Sequence, residues 1–150
     1  MARYIIVAQR IAEAITLTGQ LTIRWAEYAL NSYLNKALKN TTWKDYIVAI
    51  DTDSLYVSLD DVVTKLNPKS PIDFMDKLSQ EALEPALESA YADLYDMLGG
   101  VDNRMVMKRE AIADRALWTA KKRYIMNVYD AEGVRYETPQ LKVMGIESVR

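Results

Sequence analysis

The chain has 150 residues, half of them hydrophobic, which is enough for one respectable core, and length alone favours a single domain. It contains neither cysteine nor histidine, which excludes a disulfide framework, a thiolate zinc site and imidazole chemistry, so any metal here must be held by oxygen, as magnesium, manganese and calcium are. The formal net charge is only −2, but it is unevenly spread: Met1 to Asn103 carries 9 Lys/Arg against 15 Asp/Glu, and Arg104 to Arg150 carries 10 against 6.

The opening Met1-Ala2-Arg3-Tyr4 runs into a short apolar stretch broken by Arg10 and Glu13, neither a cleavable signal nor a membrane span, so a soluble intracellular protein is expected. From about Gln9 to Leu38, apolar residues recur at three- and four-residue steps (Ile11, Ile15, Leu21, Trp25, Tyr28, Ala29, Leu34). That spacing predicts a long amphipathic helix, weakened locally by Gly19 and ended by Asn40-Thr41-Thr42, with Trp25 and Tyr28 in its core face. Tyr46 to Ile50 and Ser54 to Ser58 are β-formers flanking Asp51-Thr52-Asp53, a pattern that predicts a hairpin with the aspartates at its tip. Ser70 as N-cap, Pro71 at the first helical position and Asp73 three residues after the cap signal a second helix carrying Phe74, Leu78, Ala82, Leu87, Tyr91 and Leu94 to Gly99-Gly100. Pro85 lies inside it, and a kink is expected near Glu81.

Beyond Arg104 the pattern reads as β again: Met105 to Met107, then one strand from Leu117 to Val128, then Val134 to Ile146 broken by Pro139, with a turn at Asp130-Ala131-Glu132-Gly133. The resulting class is α+β, an antiparallel or mixed sheet backed by two long helices.

An Asp-x-Asp turn is by itself ordinary, because aspartate side chains bond nearby backbone amides. Here an apolar strand leads into Asp51-Thr52-Asp53-Ser54 and out through Leu55-Tyr56-Val57, which closely resembles motif C of the family B, phage-type replicative DNA polymerases. Further stretches resemble that family in order: Thr18-Gly19-Gln20 the helix after the fingers, Arg109 to Ala113 an Arg-Glu-Ala-Ile-Ala strand, Trp118 to Tyr124 the primer-contacting Lys-Lys-Arg-Tyr motif, and Leu141 to Glu147 the approach to the thumb. The family's Tyr-Gly pair before the first aspartate is replaced by Ala49-Ile50, and the stretch between Ala113 and Trp118 reads as a shortened loop.

The resemblance implies the C-terminal part of a polymerase palm supplying carboxylates for two-metal nucleotidyl transfer with Mg2+ or Mn2+. Asp53 is the implied direct ligand and Asp51 its close support, with Ser54, Glu110 and Thr119 as supporting residues. Glu110 resembles a family acid that approaches the metal site; its ordinary role would be an ion pair with Arg109. Lys121, Lys122, Arg123 and Tyr124 are implied primer-template contacts. On a strand, Lys122 and Tyr124 would share one face and Lys121 and Arg123 the other. Motifs A and B, the exonuclease and the thumb are absent from the pattern. The implied partners are therefore primer-template DNA, a deoxynucleoside triphosphate and a second polypeptide carrying the rest of the enzyme, in the cytoplasm of a phage-infected host and away from membranes. The chain alone is expected to be inactive and to self-associate through surfaces left bare. A degenerate, non-catalytic palm that binds DNA or assembles with a polymerase is the competing reading, and an unrelated Asp-x-Asp nuclease or transferase ranks last because no second acidic cluster accompanies the turn.

Overall fold

A computed structural model describes residues 2–146, with side chains from residue 13 onward. The elements in order are α1 (Ala2–Ala37), β1 (Ile47–Asp51), β2 (Ser54–Val57), α2 (Asp60–Leu66), α3 (Pro71–Leu78), a π-helical turn (Ser79–Leu83), α4 (Glu84–Met97), β3 (Ala111–Ala120), β4 (Arg123–Ala131) and β5 (Val134–Met144). The α+β class holds. The strands form two antiparallel sheets, β1-β2 and β3-β4-β5, with no parallel pair among the described residues. Where length favoured one domain, the chain divides into two compact units: Met1–Ser58 with Ala86–Val106, and Leu59–Pro85 with Met107–Arg150.

In the first unit, Ile23, Ala26, Leu30 and Leu34 recur at helical spacing on α1 and are buried, as are Leu87, Tyr91 and Leu94 of α4 and Tyr46 and Ile47 at the entry to β1. The Trp25 indole donates to the Ala90 carbonyl at 2.8 Å, so a side chain with a polar edge sits at this interface without leaving that edge unsatisfied. Gly19 does not interrupt α1, which continues through it. Its end is closed by Asn40 N–H on the Asn35 carbonyl (3.0 Å) and Lys39 N–H on Lys36 (3.2 Å), with Lys39 in the left-handed region.

In the second unit, Ser70 stands before Pro71 as expected, but its hydroxyl donates to the Asp73 carboxylate at 2.6 Å and accepts no helix N–H. The disturbance expected near Glu81 takes the form of the π-turn. Pro85 offers no N–H and its ring crowds the carbonyl four residues back, so the helix widens, and Glu84 N–H bonds the Ser79 carbonyl five residues back. The helix α2 has no counterpart among the expected elements; seven residues are two turns, too few for periodicity to declare itself.

Three β expectations are corrected. Met105 to Met107 forms no strand, since among the described residues it has no strand to pair with. The supposed loop from Ala113 to Trp118 lies inside β3, whose pairing with β4 is irregular at Ile112/Ala113 and Ala113/Arg115. The single strand from Leu117 to Val128 is two strands folded back at Lys121-Lys122, closed by Ala120 opposite Arg123. The β4–β5 turn is where it was expected, at Glu132-Gly133, both with positive φ (51° and 85°) as a type I′ hairpin demands.

Along β4, Tyr124, Met126, Val128 and Asp130 alternate inward and are buried with Ile112. The last of these is a carboxylate with 2 % of its surface exposed. It is held by Arg109 Nη1, by Arg135 Nε at 3.1 Å and by Gly133 N–H at 3.1 Å. Arg109 also reaches Asp76 (2.8 Å), and its backbone N–H donates to Glu84 (3.0 Å); Arg135 also reaches Asp73. Burial pushes the Asp130 carboxyl up, and the hydrogen bonds from the two arginines outweigh it, leaving it below the ordinary carboxylate value.

Asp130→Asn removes the buried one of Arg109's two counter-charges and leaves Asp76, and a loss of about 3 kcal/mol is expected in urea unfolding followed by circular dichroism. Because the folded carboxyl lies below its unfolded value, its contribution is complete above roughly pH 4 and disappears as the pH falls through the folded value. The acid limb of the stability–pH curve should therefore flatten in Asp130→Asn relative to the native chain.

Candidate metal-binding hairpin and basic hairpin

Strand β1 pairs antiparallel with β2, Ile50 opposite Leu55 and Asp51 opposite Ser54, so Thr52 and Asp53 make a two-residue turn. Thr52 has φ +55°, a region that costs a β-branched residue on the order of 1–2 kcal/mol. Its hydroxyl bonds the Asp51 carboxylate at 3.3 Å. Asp53 is exposed in the turn and Asp51 half-buried at the end of β1. Among the described residues, no lysine or arginine pairs with either carboxylate.

The hairpin is aimed by two buried asparagines of α1 that sequence reasoning missed. The Asn31 side chain donates to Asp45 (2.8 Å) and accepts from Tyr46 N–H (2.7 Å). Asn35 donates to the Lys44 carbonyl (2.7 Å) and accepts from Lys44 N–H (2.9 Å), while Asn40 bridges Asn35 and the Tyr46 hydroxyl, both at 2.8 Å. These amides occupy the backbone groups of Lys44 and Tyr46 just before β1 begins. Tyr46 in turn accepts Ser58 N–H at 2.8 Å, closing the hairpin's open end. The signal was present as polar residues four apart beside Leu30 and Leu34, where the helix pattern calls for apolar ones.

The other candidate residues belong to the second unit. Lys121 and Lys122 form the exposed tip of the β3–β4 hairpin, with Lys122 at φ +61°. The assignment of Lys122 and Tyr124 to one face of a continuous strand therefore fails. The Thr119 hydroxyl reaches the Arg123 carbonyl at 3.4 Å across this turn. Arg123 is exposed, whereas Tyr124 is 5 % exposed and lies against Trp118 with ring centroids 6.3 Å apart. Gly145 passes close behind: a Cβ there would meet the Lys122 carbonyl at 2.3 Å, so only glycine lets β5's end lie against the tip. The ordinary alternative for Glu110, an ion pair with Arg109, does not form. Arg109 turns to Asp130 and Asp76, and Glu110 pairs instead with Lys142 at 2.9 Å, raising the lysine above its ordinary value through that hydrogen bond. Glu147, at the end of the thumb-like segment, lies outside the described residues.

Among curated proteins the chain is 38 % identical, over 93 % of its length, to a DNA-directed DNA polymerase of Escherichia phage RB69, and 39 % identical over the same share to one of Enterobacteria phage T4. In sequence this chain is similar to phage DNA-directed DNA polymerases. It spans 17 % of the length of each, and no family model matches it. The resemblance to phage DNA polymerases is thereby borne out, while the individual motif assignments rest on the sequence alone.

Among the described residues no group of three or more acidic side chains is arranged to hold a metal. The donors at the β1–β2 tip are nevertheless carboxylate oxygens, the chemistry that suits Mg2+ or Mn2+. Magnesium is commonly held by one or two carboxylates with water and phosphate completing the shell. No helix among the described residues is long and apolar enough to cross a membrane.

Asn31→Ala strips the partner from the buried Tyr46 N–H, and a loss of about 1–3 kcal/mol is expected. Hydrogen exchange should show the amides of Tyr46 and the β1–β2 hairpin losing protection before those of β4.

Proposed function

We propose that the chain is the C-terminal part of a polymerase palm, which supplies the motif C carboxylates and primer-template contacts of a DNA-directed DNA polymerase. The observation that carries this reading is the carboxylate pair closing a tight antiparallel hairpin with no described cation beside it, in a chain 38–39 % identical to phage polymerases. Asp53 would hold Mg2+ or Mn2+, with Asp51 in support and Ser54, its neighbour across the strand pair, helping to hold the turn. A divalent ion bound there supplies stabilisation of the charge that builds on the α-phosphate during phosphoryl transfer.

The chain's own residues have separate tasks. The two asparagines of α1 fix the approach of β1, so the carboxylates are presented on a rigid strand pair rather than a loose loop. Lys121, Lys122 and Arg123, exposed at the other hairpin, fit sequence-neutral contacts to primer-template phosphates. Tyr124 and Thr119 serve that hairpin as positioning groups, one by anchoring it in the core and the other by bonding across the turn. Glu110, with Lys142 as its partner, is assigned to the same supporting set. The second carboxylate of the metal site and the groups that hold the deoxynucleoside triphosphate are assigned to a second polypeptide, so the isolated chain is inactive.

Reconstitution tests this. Primer extension is measured with a polypeptide that supplies the remaining polymerase segments, in Mg2+, with the native chain or Asp53→Ala. Extension is expected with the native chain and only the partner's background with Asp53→Ala, whose circular dichroism should be unchanged. Undiminished extension by Asp53→Ala overturns the assignment.

A further inference from the structure

Tyr28 was expected in the core of α1, yet it is 65 % exposed, and Trp43, in the connection to β1, is 58 % exposed. Their rings stack on one another, centroids 5.8 Å apart and planes inclined by 19°. Two large rings left open to solvent would be drawn to any apolar surface, and a stacked pair also offers flat outer faces of the size of a nucleobase.

Both rings are held on fixed backbone. Tyr28 sits on a helix, and the residue after Trp43 has both its N–H and its carbonyl tied to the Asn35 side chain, at 2.9 and 2.7 Å. Around the stack Lys36, Lys39 and Lys44 are all exposed, while the two nearby acids are already engaged, Asp45 by the Asn31 side chain and Ile47 N–H and Glu27 by Arg24. Lys36 and Lys39 suit a helix C-terminus, but Lys44 lies beyond the helix, with its ammonium 5.6 Å from the centre of the Tyr46 ring. Aromatic faces beside exposed lysines, with the neighbouring carboxylates already bonded, complement a ligand that is both a polyanion and a bearer of unpaired rings.

We propose that the Tyr28–Trp43 stack is a platform for single-stranded nucleic acid, on which an unpaired base stacks while Lys36, Lys39 and Lys44 meet the neighbouring phosphates. A duplex does not satisfy it, because its base faces are already covered. The platform goes beyond the proposed catalytic role and needs neither Asp53 nor a metal.

The test is titration of the full chain with an oligothymidylate in EDTA, followed by tryptophan fluorescence and by anisotropy of a labelled strand. Emission is read in a Trp118→Phe background, because Trp118 lies in the basic β3–β4 hairpin; there Trp43 should be quenched, with the indole of Trp25, bonded to Ala90, as the shielded reference. Trp43→Ala and Tyr28→Ala should each weaken binding by about fivefold or more, and Trp43→Phe should keep most of it. An abasic strand of equal length should bind less tightly and leave Trp43 unquenched. Equal affinity of all variants, or equal quenching by the abasic strand, overturns the proposal. So does sedimentation showing a dimer that depends on Trp43, which would assign the patch to a second copy of the chain. Primer extension in the reconstituted system is scored separately in Mg2+, so failure of the platform and failure of the catalytic reading are distinguishable.

Discussion

Asp130 is a charge taken almost wholly out of water, and the second unit is arranged to satisfy it. Two guanidinium groups from different segments meet its oxygens, Arg109 from the approach to β3 and Arg135 from β5, and each then engages an acid on α3. A buried ion pair of this kind adds little stability by comparison with well-packed apolar residues, but it is costly to break by halves. What it contributes is register. Only one pairing of β4 with β5 brings Asp130 opposite Arg135, and only one placement of α3 presents Asp73 and Asp76 to the same two arginines. The match is incomplete at one atom, since Arg109 Nε is buried with no hydrogen-bond partner among the described residues.

The first unit answers the same constraint with neutral groups. Asn31 and Asn35 are buried in the stripe of α1 that otherwise carries Leu30 and Leu34, and their amides bond the chain where it leaves the helix and enters β1. A leucine at either position would fill the space and leave the Lys44 and Tyr46 backbone groups unpaired. The asparagines thus make the helix a template for the hairpin. The effect passes directly to the aspartates, because five residues of β1 separate Tyr46 from the turn.

How much of this was legible follows from which signals are local. The long α1 helix, the Ser70-Pro71 start and the Pro85 disturbance are written in spacing and in residues with fixed backbone preferences; the last two are found where those signals place them, and α1 ends as expected but begins at Ala2 rather than near Gln9. The Glu132-Gly133 turn was legible for the same reason. Lys121-Lys122 was not: a two-residue hairpin normally announces itself with glycine or asparagine, and here a lysine adopts the left-handed conformation under the pull of the strand pairing on either side. The family pattern located Asp51-Thr52-Asp53 and the basic run as segments, without revealing that the latter was a turn. The Asn31–Tyr46 and Arg109–Asp130 contacts join residues 15 and 21 positions apart, and no local pattern encodes such partners. Tyr28 went to the core on spacing alone, because periodicity records which side of a helix a residue occupies and not whether anything covers that side.

The treatment of carboxylates within this one chain is uneven in an informative way. Asp130, Asp76 and Asp73 are each met by arginine, and Glu110 by Lys142, although the last has most of its surface in water and little need of a partner. Asp51 and Asp53 share a turn held at a strained Thr52, in the more acidic part of the sequence, with no described cation beside them. Folding stability alone would favour relieving both the strain and the charge, by a glycine in place of Thr52 at the cost of its hydrogen bond to Asp51, and by a lysine in place of Ser54 across the strand pair. On the proposed reading, like charges kept together on a fixed scaffold would suit a ligand that brings positive charge with it, such as a doubly charged ion held by hard oxygen donors. The basic hairpin has the complementary design, with Lys121, Lys122 and Arg123 together on an exposed tip and the buried Tyr124 holding the strand beneath them.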